Sequence, residues 1–323
     1  MLLKLSNLTV EFDTDDGVVH AVNDVSLELS SGETLGLVGE SGCGKSVTAM
    51  SIPRLVPSPP GRVVSGKIEF NGANLLSAPF SRLRQIRGAD IGVIFQEPMT
   101  ALSPLHHIGD QLMETIALHR KLSKREQYEL SLHWLERVGI AAPKRCMESY
   151  PYELSGGMRQ RVMIAMAMLL EPRLVIADEP TTALDVTIQA QILDLLKEVT
   201  NDENSAQKRA VLLITHDMGV IWQMCTRVIV MYASRIVEEA PVKELFAPPA
   251  HPYTRALMNS IPALHATADD LSAIPGSVPS LLNPPKGCPF APRCSFARPE
   301  CYTSLPQRRE LSPRHWVSCN AVK

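Results

Sequence analysis

The sequence lacks any long hydrophobic run. Its longest uncharged apolar stretch near the centre, Val162 to Leu170, covers nine residues, whereas a helix crossing a bilayer needs about 20, so no membrane span is expected. An excess of either charge is also missing. With 32 basic and 34 acidic residues the net charge is −2, which leaves no broad electrostatic footprint for nucleic acid. The N-terminus, Met-Leu-Leu-Lys-Leu-Ser, does not have the basic-then-apolar order of a secretory signal, and the chain is expected to stay in the cytoplasm. What is present is a chain of 323 residues, 45% of them hydrophobic, longer than one average domain and able to bury a substantial core.

The run Gly39 to Ser46, Gly-Glu-Ser-Gly-Cys-Gly-Lys-Ser, follows the apolar stretch Leu35 to Val38 and opens a predicted helix. It fits the pattern G-x-x-x-x-G-K-S/T. Gly39, Gly42 and Gly44 let the backbone curl so that successive N–H groups face phosphate oxygens. Lys45 is then placed to reach the β- and γ-phosphates, and Ser46 to offer its hydroxyl to Mg²⁺. A second run, Leu174-Val175-Ile176-Ala177-Asp178-Glu179, reads as a buried parallel strand that delivers two carboxylates to its end. Alone, Asp-Glu would read as a solvated strand end. With the glycine loop it reads as the hydrolytic half of a nucleotide site, Asp178 in the Mg²⁺ shell and Glu179 polarising the attacking water.

Periodicity predicts strands over 2–12, 18–29 and 66–70 in an antiparallel edge, and core strands over 33–38, 91–95, 173–178, 209–214 and 227–231. Residues near 106–170 contain no good strand. The fold class is therefore α/β: a P-loop core with an antiparallel β edge, an inserted helical subdomain over about 97–170, and a distinct tail. Composition marks the tail, since 14 of the 25 prolines lie at or after Pro241. The predicted domains are 1–250 and a Pro-rich extension over 251–323, which needs something other than a hydrophobic core to hold it.

Between the two nucleotide runs lies Leu154-Ser155-Gly156-Gly157-Met158, and with it the chain resembles the ATP-binding subunits of ABC transporters. The resemblance implies that Ser155 caps a helix and that the N–H groups of Gly156 and Gly157 face the γ-phosphate held by a partner subunit, in an ATP sandwich dimer. It also implies that Phe12, in the loop after the first strand, stacks on adenine, and that Ser41, Cys43 and Val47 belong to the nucleotide contact. Gln96 senses Mg²⁺ and the attacking water, and Asp185, in Ala183-Leu184-Asp185, links the two sites. His216, after the strand Val211 to Thr215, contacts the γ-phosphate. Glu179, His216 and Gln96 would then be the catalytic residues, with Ser46, Gln96 and Asp178 around Mg²⁺. Pro98 to Ile108 would line a groove for a membrane partner, although its apolar residues equally suit a subdomain core. Two departures stand out: Ser103 where the relevant group often has Asn, and Ala233-Ser234 where Ala-Gly is frequent.

The extension holds four of the seven cysteines, Cys288, Cys294, Cys301 and Cys319, with five, six and seventeen residues between them. Disulfides do not suit a cytosolic chain. Zinc takes four thiolates but the C-x₂-C knuckle is absent, and a 4Fe–4S cluster accepts varied spacing; residue chemistry leaves both open. Cys-Pro-Phe-Ala-Pro-Arg-Cys, preceded by His251-Pro252-Tyr253-Thr254-Arg255-Ala256-Leu257 and Ile274-Pro275-Gly276, is similar to the C-terminal extension of oligopeptide and dipeptide transporter ATPases. That resemblance implies the iron–sulfur cluster, as a structural staple. It further implies import of peptides or a related small solute at the cytoplasmic face of the inner membrane. The partners implied are a second, different ABC ATPase, two transmembrane permease subunits and an extracytoplasmic solute-binding protein, with no nucleic acid. The alternative is a soluble ABC ATPase acting on nucleic acid or ribosomes. The chain has neither the long coiled-coil insertion nor the second core that such proteins carry.

Overall fold

The computed structural model describes residues 1–181, 186–200, 208–260 and 274–322. Its strands are β1 (Leu3–Thr14), β2 (Gly17–Leu29), β3 (Thr34–Val38), β4 (Gly61–Phe70), β5 (Ala73–Asn74) and β6 (Ile91–Ile94). There follow β7 (Leu174–Asp178), β8 (Ala210–Ile214), β9 (Arg227–Tyr232), β10 (Arg235–Pro241), β11 (Arg308–Ser312) and β12 (His315–Ser318). The chain divides into two compact units, Met1–Leu29 with Thr34–Ser77 and Ile214–Lys323, and Ser30–Glu33 with Ala78–Leu213.

In the first unit β1 lies inside an antiparallel sheet of order β2-β1-β4-β5. Leu3, Leu5, Leu8 and Val10 of β1 point into the core, but the alternation slips at Asn7, where φ is +49° and the register with β2 shifts. A bulge of this kind costs the strand its simple period of two. Across from it Gly66 sits at φ +107°, where a Cβ would stand 2.7 Å from the Asn7 carbonyl oxygen. This interruption explains why β4 begins five residues before the periodicity predicts, and β1 itself runs on to Thr14.

The same unit contains a second run of strands in the order β11-β12-β10-β9-β3. β3 and β9 are parallel, and all six residues of β9 are buried, as befits a strand covered on both faces. Strands β10 to β12 were not legible from periodicity. The reason is buried charge: Glu238 and Glu239 of β10 are 0% and 5% exposed. Glu238 accepts from His315 Nε2 at 2.9 Å and from the Ala250 and His251 amides at 2.8 and 2.9 Å. Glu239 pairs with Arg227 and Arg308.

The expectation that the extension lacks a hydrophobic hold is corrected. Tyr253, Met258 and Phe290 belong to one buried cluster with Val38, Val230, Tyr232, Val237 and Leu245, and β12 pairs with β10. Few, widely spaced aromatics supply this anchor, so no apolar run betrays it in the sequence. Phe290, Tyr232 and Tyr253 meet edge to face or tilted, with centroids 4.6–5.4 Å apart.

In the second unit β6 and β7 are parallel and every residue of β7 is buried. Four helices follow β6 after the short Pro98–Ala101 turn: Ile108–Ala117, Lys124–Arg137, Pro143–Glu148 and Gly156–Met168. The second begins with a complete capping box between Ser123 and Glu126. Helix Gly156–Met168 buries Val162, Met163, Ile164, Ala165, Ala167 and Met168, so its apolar residues ring the helix because the protein surrounds it. Among the described residues no helix is long and apolar enough to cross a membrane.

Candidate functional site

In the first unit β3 ends at Val38 and hands the chain to the loop Gly39 to Gly44. Gly39, at φ +150°, leaves no room for a Cβ, which would fall 2.2 Å from the Met231 carbonyl oxygen. Gly44, at φ +100°, would strike the Ala21 carbonyl oxygen at 2.2 Å and forms the N-cap of the helix Lys45–Ser51. Those approaches require glycine. Lys45 is only 5% exposed, and its ammonium donates to the Gly39 and Glu40 carbonyls at 2.8 and 3.1 Å, so the loop curls around a buried positive charge. Such a charge needs acceptors or an anion. Ser46 and Val47 are half-buried on the first helical turn, while Ser41 and Gly42 are exposed.

Cys43 is fully buried, and burial raises its thiol pKa above the usual value. The Cys43 carbonyl accepts from the Ser234 amide at 3.1 Å, and the Cys43 sulfur accepts from Lys45 Nζ at 3.9 Å. Ser234 and Ala233 sit at φ +69° and +43°, the left-handed region that favours glycine, which is where the sequence departs from Ala-Gly. The Ser234 hydroxyl bonds the His20 carbonyl at 2.5 Å, holding a conformation a glycine would adopt without cost.

Two residues of this unit lie differently from the expectation or at its edge. Phe12 is within β1, paired with Val19 and Gly61, rather than in a loop after it, because the strand continues to a tight turn at Asp15-Asp16. Its half-buried ring leans on Gly61, where a Cβ would meet Phe12 Cε1 at 3.0 Å. His216 is exposed directly after β8, and the next residue, Asp217, caps the helix Met218–Met224 by accepting from the Gly219 and Val220 amides at 2.7 and 3.3 Å.

In the second unit β7 ends at Asp178, buried to 5% exposure, and the backbone then turns at Glu179 with φ +45°. A left-handed non-glycine residue stores strain of about 1–3 kcal/mol and is found where function fixes an awkward geometry. The Glu179 carboxylate accepts from Gln96 Nε2 at 3.3 Å, so the strand ends of β6 and β7 bring these two sequence-predicted residues together. Pro180 follows, its carbonyl accepting from Gln160 Nε2 at 2.5 Å. Gln160 is a residue that motif reading misses: it is 2% exposed on the helix that Ser155 opens, and it fixes the segment carrying Glu179. A lone amide amid an apolar helical face was its available signal. Ser155 caps that helix, accepting from the Met158 amide at 3.3 Å. Gly156 is open, and Gly157 packs on Ile188. Asp185 lies outside the described residues. In the segment from Pro98, Leu102 and Ile108 are buried while Met99 and Leu105 are 45% and 80% exposed, so only part of that segment serves as core.

The four extension cysteines are free thiols. The Cys288 amide donates to the Cys301 carbonyl at 2.7 Å. Burial, aided by the nearby Cys319 and Cys301, pushes the Cys288 thiol up to about 11, and burial raises Cys294 as well. Among the described residues, however, no group of three or more His, Cys, Asp or Glu is arranged to hold a metal ion. The donor chemistry suits a thiolate-bound metal, whereas the side-chain packing supplies no ready ligand cage.

A glycine loop wrapped on a buried lysine after a parallel strand in the first unit, and paired carboxylates at a strand end in the second, are each the kind of element a P-loop nucleoside triphosphatase uses. Comparison with known proteins narrows the class. The ABC transporter model matches residues 22–182, and the model described as oligopeptide/dipeptide transporter, C-terminal region, matches residues 237–301. The chain is 50% identical over 320 residues to the probable peptide ABC transporter ATP-binding protein y4tR of Sinorhizobium fredii, covering 99% of this chain and 94% of that one. It is 47% identical over 318 residues to the oligopeptide transport ATP-binding protein OppD of Escherichia coli, with 98% and 92% covered. Among solved structures, the ATP-binding cassette MJ0796 in a dimeric post-hydrolysis state bound to ADP and Pi aligns with TM-score 0.66 and 27% identity, covering 75% of this chain and 99% of that one. The chain belongs to the ABC transporter ATP-binding subunits, within their oligopeptide/dipeptide group.

Proposed function

We propose that this chain hydrolyses ATP to energise import of peptides or a related small solute through separate transmembrane subunits. One observation carries the reading: the phosphate loop wrapped on Lys45 shares a chain with a tail that matches the oligopeptide/dipeptide transporter C-terminal region. Its near full-length relatives are named for peptide transport, and none of these names points to nucleic acid or ribosomes.

Phosphoryl transfer spreads charge over the γ-oxygens, so positioning and electrostatic stabilisation do most of the work. Lys45 and the amides of the 39–46 loop, with Ser41, Gly42 and Val47 at its surface, bind the triphosphate. Ser46, Asp178 and Gln96 are the residues that would hold Mg²⁺, whose charge would offset that of the phosphates. Glu179 orients and deprotonates the water, Gln96 steadies that carboxylate, and His216 holds the γ-phosphate. Phe12 stacks on adenine. Ser155, Gly156 and Gly157 serve the ATP held by a partner subunit, with Asp185 linking the two sites, in a heterodimer with a second ATPase. Exposed Met99 and Leu105 meet the permease subunits, which receive solute from an extracytoplasmic binding protein. Residues 1–250 form the ATPase domain, the helical subdomain 97–170 carries the partner-facing serine and glycines, and 251–323 form the extension. Cys288, Cys294, Cys301 and Cys319 would hold a 4Fe–4S cluster, or zinc in its place, as a staple that supplies no step of hydrolysis, once their side chains gather into the ligand cage that their present packing does not form.

The test is mass spectrometry of the complex purified anaerobically from detergent-solubilised membranes, with iron and zinc assayed on the same sample. Two polytopic proteins, a second ATPase and about four irons per chain are expected. Co-purifying ribosomes or DNA would overturn the transport reading, one zinc per chain would replace the cluster, and absence of both metals would remove it.

A further inference from the structure

The pattern G-x-x-x-x-G-K-S leaves its second position free, and here that position, Glu40, is tied to the C-terminal extension. The tie is complete on both sides. Arg293, 6% exposed in its side chain, spends all five guanidinium N–H donors: Nη1 on Glu40 Oε2 at 2.8 Å and the Tyr232 hydroxyl at 3.1 Å, Nη2 on Glu40 Oε1 at 3.1 Å and the Ile274 carbonyl at 3.2 Å, and Nε on the Pro275 carbonyl at 2.8 Å. Glu40 in turn donates its backbone N–H to the Tyr253 hydroxyl at 2.9 Å. Its carbonyl accepts from Lys45 Nζ at 3.1 Å and from the Cys43 amide at 3.3 Å.

We infer that Arg293 and Tyr253 are positioning residues for ATP, which set the phosphate loop through Glu40 and so make the extension a working part of the nucleotide site. The physical reason is the forked geometry. A bidentate guanidinium–carboxylate pair fixes direction as well as distance, and this one is pinned at its far side by two backbone carbonyls. The Glu40 side chain and N–H are therefore both held from outside the loop, and the one remaining polar group of that residue, its carbonyl, is one of the two that orient the Lys45 ammonium, beside that of Gly39. Whatever displaces the Arg293 loop, which also carries Cys288 and Cys294, shifts the register of the lysine. Lysine at 293 could replace the charge but not the five-donor fork.

This inference rests on reading residues 39–46 as the phosphate loop, and the experiment separates the two. Binding of a fluorescent ATP analogue with Mg²⁺ and steady-state hydrolysis are measured on the full chain for wild type, Lys45→Ala, Arg293→Lys, Arg293→Gln, Glu40→Gln and the double variant Glu40→Gln with Arg293→Gln. Arg293→Lys and Arg293→Gln are expected to weaken nucleotide binding about tenfold with kcat changed less than about threefold, since one charged hydrogen-bond pair is worth about that factor. Glu40→Gln should give a similar loss and, combined with Arg293→Gln, no further loss. If Lys45→Ala binds nucleotide normally, the loop reading itself fails. If Lys45→Ala loses binding while Arg293→Gln keeps wild-type affinity, or the Glu40 and Arg293 losses simply add, the clamp is refuted and the loop reading stands. Thermal melting of each variant distinguishes these outcomes from unfolding, because a KM change without a kcat change and losses that do not add do not follow from lost stability.

Discussion

Replacing Phe290 with alanine tests whether packing or thiol chemistry holds the extension. The ring is 2% exposed and meets Tyr232 and Tyr253 edge-on, with centroids 5.3 and 5.4 Å away. Truncating a buried phenylalanine costs about 3–5 kcal/mol, within which two such aromatic pairs account for about 0.5–1.5 kcal/mol each. The upper part of that range applies because the surroundings are pinned: the Ala291 amide bonds the Cys288 carbonyl at 3.0 Å and the Tyr302 hydroxyl bonds the Ala291 carbonyl at 3.3 Å, so the cavity cannot close by moving the backbone. A loss of about 4 kcal/mol raises the open population of the extension by about three powers of ten. Limited proteolysis of the full chain, with cleavage mapped by mass spectrometry, reads that population. A variant whose extension is as protected as wild type, or a wild type whose extension opens just as far once metal is chelated, would refute the primacy of packing.

The site and the fold make two further predictions. Glu179→Gln keeps the shape that Gln96 contacts but removes the base, so ATP binding is expected to persist while turnover falls about 10²- to 10⁴-fold; normal turnover would remove Glu179 from the catalytic role. His251 is 1% exposed and burial pushes its ring down to about 3, and its Nδ1 accepts from the Tyr253 amide at 3.0 Å. An unfolded histidine titrates near 6.5, so the neutral ring contributes stability that is complete above about pH 6.5 and is lost as pH falls toward 3, at up to about 1.4 kcal/mol per pH unit. Urea midpoints between pH 7.5 and 5 should therefore drop further for wild type than for His251→Asn, whose side chain can still cap the helix Pro252–Asn259. Equal drops would place the acid sensitivity elsewhere.

How far the sequence reached depended on whether a constraint was local. Gly39 and Gly44 of the phosphate loop were legible because only glycine tolerates a carbonyl 2.2 Å from its Cβ position, and β7 was legible because a strand buried on both faces is apolar up to its closing aspartate. Phe12 was misplaced by its neighbours: polar Asp13 and Thr14 look like a loop, yet they continue an edge ladder to Gly17. β10 escaped because Glu238 and Glu239, buried against His315, Arg227 and Arg308, mimic a solvated segment, and their partners lie up to 77 residues away. No short window of sequence contains both halves of the His315 or Arg308 pair.

The same limit explains why the extension read as a separate module. A motif records the positions that its chemistry demands and leaves the rest as x, so a residue at one of the four open positions of the phosphate loop can serve a purpose particular to this chain. Glu40 occupies such a position, and its partner is 253 residues further on. Pairing a free position of a general motif with a residue of a specialised tail adds control to the nucleotide site without altering any group that touches phosphate. The cost of the arrangement falls on Arg293 alone: once its fork is filled by five acceptors, no other side chain can take its place, and the loop and the tail must change together.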